Sequence, residues 1–174
     1  MKPFPLILWM QFTLALFCLT YQPDLLALDV KSYTQVAKKS FRTTRRGRIR
    51  NVERLIDQQR QLIRLAIEGA LEYAENHPGD AKMLHLTILN TVRMQNLPEE
   101  QFTRQWLNGG YLRSHGINLD QYQPTDPPRI LYQALVTPAH VIVLLKQYKT
   151  SRSAALIGTI NQKISALLKA VAAL

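Results

Sequence analysis

The stretch Asn51–Asn76, NVERLIDQQRQLIRLAIEGALEYAEN, decides the fold class. Val52, Leu55, Ile56, Leu62, Ile63, Ala66, Ile67, Ala70, Leu71 and Ala74 recur at spacings of three and four, which gathers them on one face of an α-helix. Arg54, Arg60, Arg64, Glu68, Glu72 and Glu75 spread over the rest of the wheel, and Arg64 and Glu68, four apart, are placed to pair. The run Asn76-His77-Pro78-Gly79-Asp80 ends the pattern, because proline cannot continue the hydrogen-bond ladder. A helix of this kind must bury its stripe, so the rest of the chain has to supply the surface that covers it.

Downstream, the covering surface also reads as helix. Asp80 is placed to cap a second helix over Ala81–Gln95, with Met83, Leu84, Leu86, Ile88, Leu89 and Val92 covering more than one face; this predicts a central element. Asn96, with Glu99 three residues on, has the spacing of a capping box for a third helix through Phe102, Trp106 and Leu107, stopped by Asn108-Gly109-Gly110. Tyr111–Thr125, marked by Gly, Asn and Pro, reads as an irregular loop. Asp126-Pro127-Pro128 opens a short helix through Ile130, Leu131 and Leu135, and Thr137-Pro138 opens another. Val141-Ile142-Val143 has strand propensity, but no partner strand is evident, so helix is preferred. Ser153–Leu174 places Ile157, Ile160, Ile164, Leu167, Val171 and Leu174 at alternating threes and fours. That stripe is too short for a coiled coil and predicts a helix packed on its own domain, with a partner helix or a membrane surface as alternatives.

Upstream, Lys2 precedes an uncharged apolar run, Phe4–Leu19, followed by a more polar stretch with Pro23 and Ala27. A basic start, an apolar middle and a small residue at the boundary predict a secretory signal peptide cut after Ala27. The run also approaches the length that spans a bilayer, so an uncleaved anchor is the rival, and an ordinary buried helix a third reading. Cys18, the only cysteine, lies inside this leader. Removal of the leader would leave no thiol for disulfides, nucleophilic sulfur or cysteine-held metals.

The net charge of +10 is uneven. Val30–Arg50 carries eight Lys or Arg and no acid, Asn51–Asp126 seven bases against ten acids, and Pro127–Leu174 six bases and no acid. Lys38, Lys39, Arg42, Arg45, Arg46, Arg48 and Arg50 form the densest cluster and predict attraction to an anionic partner, either a polyanion or anionic lipid. Only Phe41 and Ile49 are large and apolar there, so no platform for stacking bases is visible. Residues 28–50 read as a basic arm or linker outside the periodic segments.

No residue stands out as catalytic. No phosphate-binding glycine loop, nucleophile elbow or His-Glu-x-x-His is present. His77, Asp80 and His85 are the only local cluster of metal-ligand types, at a separation that fits no standard zinc spacing. Glu68 and Glu72 read as a solvated face rather than a hydrolytic pair, and Trp106 and Tyr111 as aromatics closing a helix end. No cofactor and no specific small molecule is implied. The expectation is an all-α protein: a signal peptide or membrane anchor (1–27), a basic arm or linker (28–50) and a bundle of about five helices (51–174). Its role would be non-enzymatic binding or structure, in the periplasm or outside the cell. The alternatives are an anchored protein whose arm lies on cytoplasmic-side head groups, and an enzyme whose site is scattered along the chain. A protein partner for the C-terminal helix is a further expectation.

Overall fold

Asn51 begins the longest amphipathic helix by accepting the Arg54 N–H on its side-chain oxygen at 2.9 Å. A computed structural model describes residues 28–174, and all regular structure among them is helical. The α-helices are α1 (Val30–Thr44), α2 (Val52–Asn76), α3 (Pro78–Leu89), α4 (Thr91–Met94), α5 (Glu99–Phe102), α6 (Gly110–Ser114), α7 (Pro127–Ser151) and α8 (Ala154–Val171). A π-helical turn, Thr103–Leu107, continues α5, and a 3-10 turn, Leu119–Gln121, follows α6. The four long helices close a ring: α1 packs on α2, α2 on α7, α7 on α8, and α8 back on α1. The short helices connect α3 to α7 along one side.

The core follows the stripes read from the sequence in α2 and α8. Leu55, Leu62, Ala66 and Ala70 of α2 are buried, as are Ile157, Ile160, Ile164, Leu167 and Val171 of α8. The α8 stripe is thus covered inside the bundle by α7 and α1, which leaves only the opposite face of α8 to any partner.

Several expectations need correction. Residues 30–44 are a helix of the bundle rather than an arm: Asp29 caps α1 by accepting the Ser32 N–H, and Tyr33, Ala37, Ser40 and Thr44 are buried along one face. Ile49 then anchors the link to α2 in the core. The second helix is shorter than expected and starts at Pro78, with Asp80 inside its first turn rather than at its cap. It lies at the edge, since Leu89 at its end is 78% exposed, and Val92 of the following α4 is 71% exposed. Pro98, not Asn96, stands at the start of α5, and no side chain caps it. The expected loop over 111–125 contains α6 and the 3-10 turn. These short elements raise the helix count above five.

The largest departure is α7, which runs unbroken through Pro138 instead of restarting there. Proline has no N–H, so the carbonyl of Ala134, one turn earlier, loses its helical donor. The Tyr33 hydroxyl supplies the missing proton, donating to Ala134 O at 2.9 Å from a wholly buried position. Burial holds that phenol well above its ordinary pKa, so it stays protonated as a donor. The helix α7 is long and apolar enough to cross a membrane, yet 83% of its apolar window is buried within the protein. It serves here as the central wall of the bundle.

Candidate anion-binding groove

The burial of α1 fixes where its charges go. With Tyr33, Ala37, Ser40 and Thr44 turned inward, Lys39, Arg42, Thr43 and Arg46 fall at spacings of three and four along an outer face. On α2 the same spacing brings Asn51, Arg54, Leu55 and Gln58 to the facing side. Between the two helices, Gly47 takes a left-handed φ of 69° that turns the chain. Because Ile49 is 1% exposed, its neighbours Arg48 and Arg50 are driven outward on either side of it. The result is a groove of about 600 Å³ lined by six bases, Lys39, Arg42, Arg46, Arg48, Arg50 and Arg54, with no carboxylate in its lining.

Among the described residues, no carboxylate compensates those six charges within the groove lining. None of them forms an ion pair among the described residues. The carboxylates of the first turns of α2 face other partners. Glu53 bonds Lys149 at 2.7 Å, and that hydrogen bond, reinforced by the ammonium charge, holds its carboxyl below the usual range. Asp57 bonds Arg60 at 3.1 Å. The first turn of α2, with its partly positive helix end, borders the groove through Asn51 and Arg54.

The groove has a rigid floor. Ser40 donates to Gln58 Oε1 and accepts from Gln59 Nε2, both at 3.0 Å, and all three residues are buried. One turn later Thr44 bonds Asn161 of α8, whose amide returns to the Thr44 carbonyl at 3.3 Å. This buried polar network holds α1, α2 and α8 in register beneath the basic face. The groove lining has no His, Cys, Asp or Glu, and six of its ten residues are Lys or Arg.

Comparison with protein-family models, curated proteins and solved structures finds no match for this chain. The geometry alone therefore orders the residues singled out from the sequence. Five of the seven arm bases line the groove, while Lys38 and Arg45 are exposed but lie off it. Arg54 belongs to the groove and is not one of the seven. Its signal was its place one turn into α2, beside the arm, where it read as part of a solvated face.

The other candidates have structural partners. Asp80 accepts from Tyr122 Oη at 2.9 Å and from Tyr73 Oη at 3.2 Å, the carboxylate helping to push the Tyr73 phenol, already raised by burial, up to about 12. His77 stacks on Tyr73 with ring centroids 3.9 Å apart and bonds its carbonyl through Nδ1 at 2.9 Å. His85 is exposed, and no three metal-ligand side chains converge among the described residues. Glu68 and Glu72 are exposed. Trp106 is buried against the Tyr111 ring at 4.7 Å. The leader, Cys18 and the cut after Ala27 lie outside the described residues.

Proposed function

We propose that the chain is a non-enzymatic helical binding protein that holds an anionic chain in the α1–α2 groove. One observation carries this reading: six bases from two helices and their link converge on one concavity whose lining has no carboxylate. Concavity favours a chain that enters between the helices over a flat plane of head groups, which meets convex surfaces more fully. The groove offers no aromatic lining, so the attraction is to charge rather than to stacked bases. Placement beyond the cytoplasm, as an exported protein, belongs to the same proposal and rests on the apolar run Phe4–Leu19, Pro23 and Ala27. The alternative, a retained anchor that keeps the domain on the cytoplasmic side, draws on the eight bases that follow the run, since positive charge favours that side.

The test is a binding titration with polyphosphate, single-stranded nucleic acid, and anionic and neutral vesicles across a salt series. Binding of a polyanion should weaken linearly on a log–log plot against salt. The Arg42→Gln/Arg46→Gln/Arg48→Gln/Arg50→Gln variant should bind more weakly, with a slope shallower by roughly 0.7–0.9 for each phosphate no longer neutralised. Unchanged affinity and slope in that variant would dismiss the groove. Preferential binding to anionic vesicles would transfer the site to lipid. N-terminal sequencing of native protein decides the leader: a start at Leu28 supports cleavage, and an intact Met1 in membrane fractions supports the anchor.

A further inference from the structure

A second cleft, of about 230 Å³, opens between α7 and α8 and has a different character. Its α7 side is formed at spacings of three and four, Arg129, Tyr132, Gln133 and Val136, and its α8 side by Lys163, Ala166 and Leu167; Leu107 of the π-helical turn closes one end. Most of the wall is hydrocarbon or aromatic ring. Two cations stand on it, and no carboxylate does.

Arg129 is the anomaly. Its guanidinium lies over the Tyr132 ring, 5.6 Å from the centroid, and its Nη1 is buried with no hydrogen-bond partner among the described residues. A buried donor on a charged group is costly to leave unpaired. The Tyr132 hydroxyl, which donates to the Trp106 carbonyl at 2.5 Å, does not accept from it either, and burial raises that phenol far above its ordinary pKa. Asp120 borders the small cleft on the other side of Arg129 but forms no ion pair with it.

We propose that this cleft binds a small monocarboxylate with an apolar body, its carboxylate on Arg129 and Lys163 and its tail against Val136, Ala166, Leu167 and Leu107. Arginine suits the role because its fork matches two carboxylate oxygens. The volume is below the roughly 300–1,000 Å³ of pockets that enclose drug-sized ligands, so a short aliphatic chain is the fitting length. Gln133 and Thr137 at the rim add polar groups beside the anion. The site shares no lining residue with the α1–α2 groove.

The experiment is a calorimetric or NMR titration of the full chain with hexanoate, hexanol and hexylamine. Hexanoate should bind saturably in the millimolar range or tighter, hexanol more weakly, and hexylamine not at all. Arg129→Gln should weaken hexanoate roughly tenfold or more, the scale of a charge-assisted pair removed. Lys163→Gln, at a half-buried position remote from the core centre, should weaken it several-fold and serves if the Arg129 variant folds poorly. The groove variant should bind hexanoate as the parent does. Equal binding of hexanoate and hexanol, no saturable hexanoate binding, or full retention in both the Arg129 and Lys163 variants would overturn the proposal.

Discussion

Helices α1 and α2 lie side by side in the same bundle, yet they are built from opposite materials. The inward face of α2 is mostly Val, Leu, Ile and Ala, with Gln58, Gln59 and Gly69 among them. That of α1 is Tyr33, Ala37, Ser40 and Thr44. Hydrocarbon burial explains α2 at once. In α1, small residues let the helix approach closely, a buried tyrosine reaches across to α7, and Ser40 and Thr44 join the polar network with Gln58, Gln59 and Asn161. A helix held in this way can carry a dense basic outer face and still fold. The difference teaches that the cluster of charge and the stability of α1 reside on separate faces, and each can be broken alone.

The largest effect should come from the buried anchor. Tyr33→Ala leaves a cavity and strips Ala134 of its donor, and should cost about 3–5 kcal/mol in urea unfolding. A free arm would lose almost nothing. Tyr33→Phe isolates the hydroxyl and should cost about 1–3 kcal/mol, the range for an orphaned buried polar group. In a Pro138→Ala background, where the helix regains its own donor, that cost should shrink. Equal cost in both backgrounds would separate Tyr33 from the proline.

Acid should probe the far side of the bundle from α1. His140 of α7 is buried against Phe102, with ring centroids 4.7 Å apart, and burial, aided by the Lys163 charge, lowers its pKa to about 4. Unfolded, it titrates near 6.5. Between these values the unfolded chain binds the extra proton, so this stabilisation is present above pH 6.5 and is lost as pH falls toward 4. The contribution is at most roughly 3–4 kcal/mol. His140→Leu should flatten the stability profile in that window; an unchanged slope would assign the titration elsewhere.

Two glycines sharpen the packing side of the contrast. A Cβ on Gly69 of α2 would lie 2.6 Å from the Leu28 Cα, where the chain crosses before entering α1. Gly69→Ala should therefore destabilise by about 1–3 kcal/mol. Gly158 of α8 has nothing within 4 Å of its Cβ position, and Gly158→Ala should stabilise by about 0.5–1 kcal/mol. Thermal or urea melts of the pair should move in opposite directions.

What the sequence disclosed follows the same division. The helical class, α2 and the α8 stripe were legible because apolar residues repeat at helical spacing. The helix α1 was not, because its buried positions are small or polar and its charges dominate the eye. Continuity of α7 was hidden because Pro138 is a local stop signal whose remedy, Tyr33, lies 101 residues upstream of the Ala134 carbonyl it serves. Five groove bases were legible as a cluster, but Arg54 needed the third dimension, and the Arg129–Lys163 cleft joins residues of two helices that carry no local motif.

A groove and a mere stretch of charge make different demands on two arginines. Arg45 belongs to the linear cluster but lies off the groove, whereas Arg54 lies outside the cluster and lines the groove. Each is exposed, and each replacement by Gln removes one charge. Polyphosphate affinity at low salt, measured for Arg45→Gln and Arg54→Gln beside the parent, is the direct test. A groove predicts that Arg54→Gln loses more, up to about fivefold for a base worth about 1 kcal/mol, and that Arg45→Gln loses little. The reverse order would contradict the groove and return the charge to a linear arm.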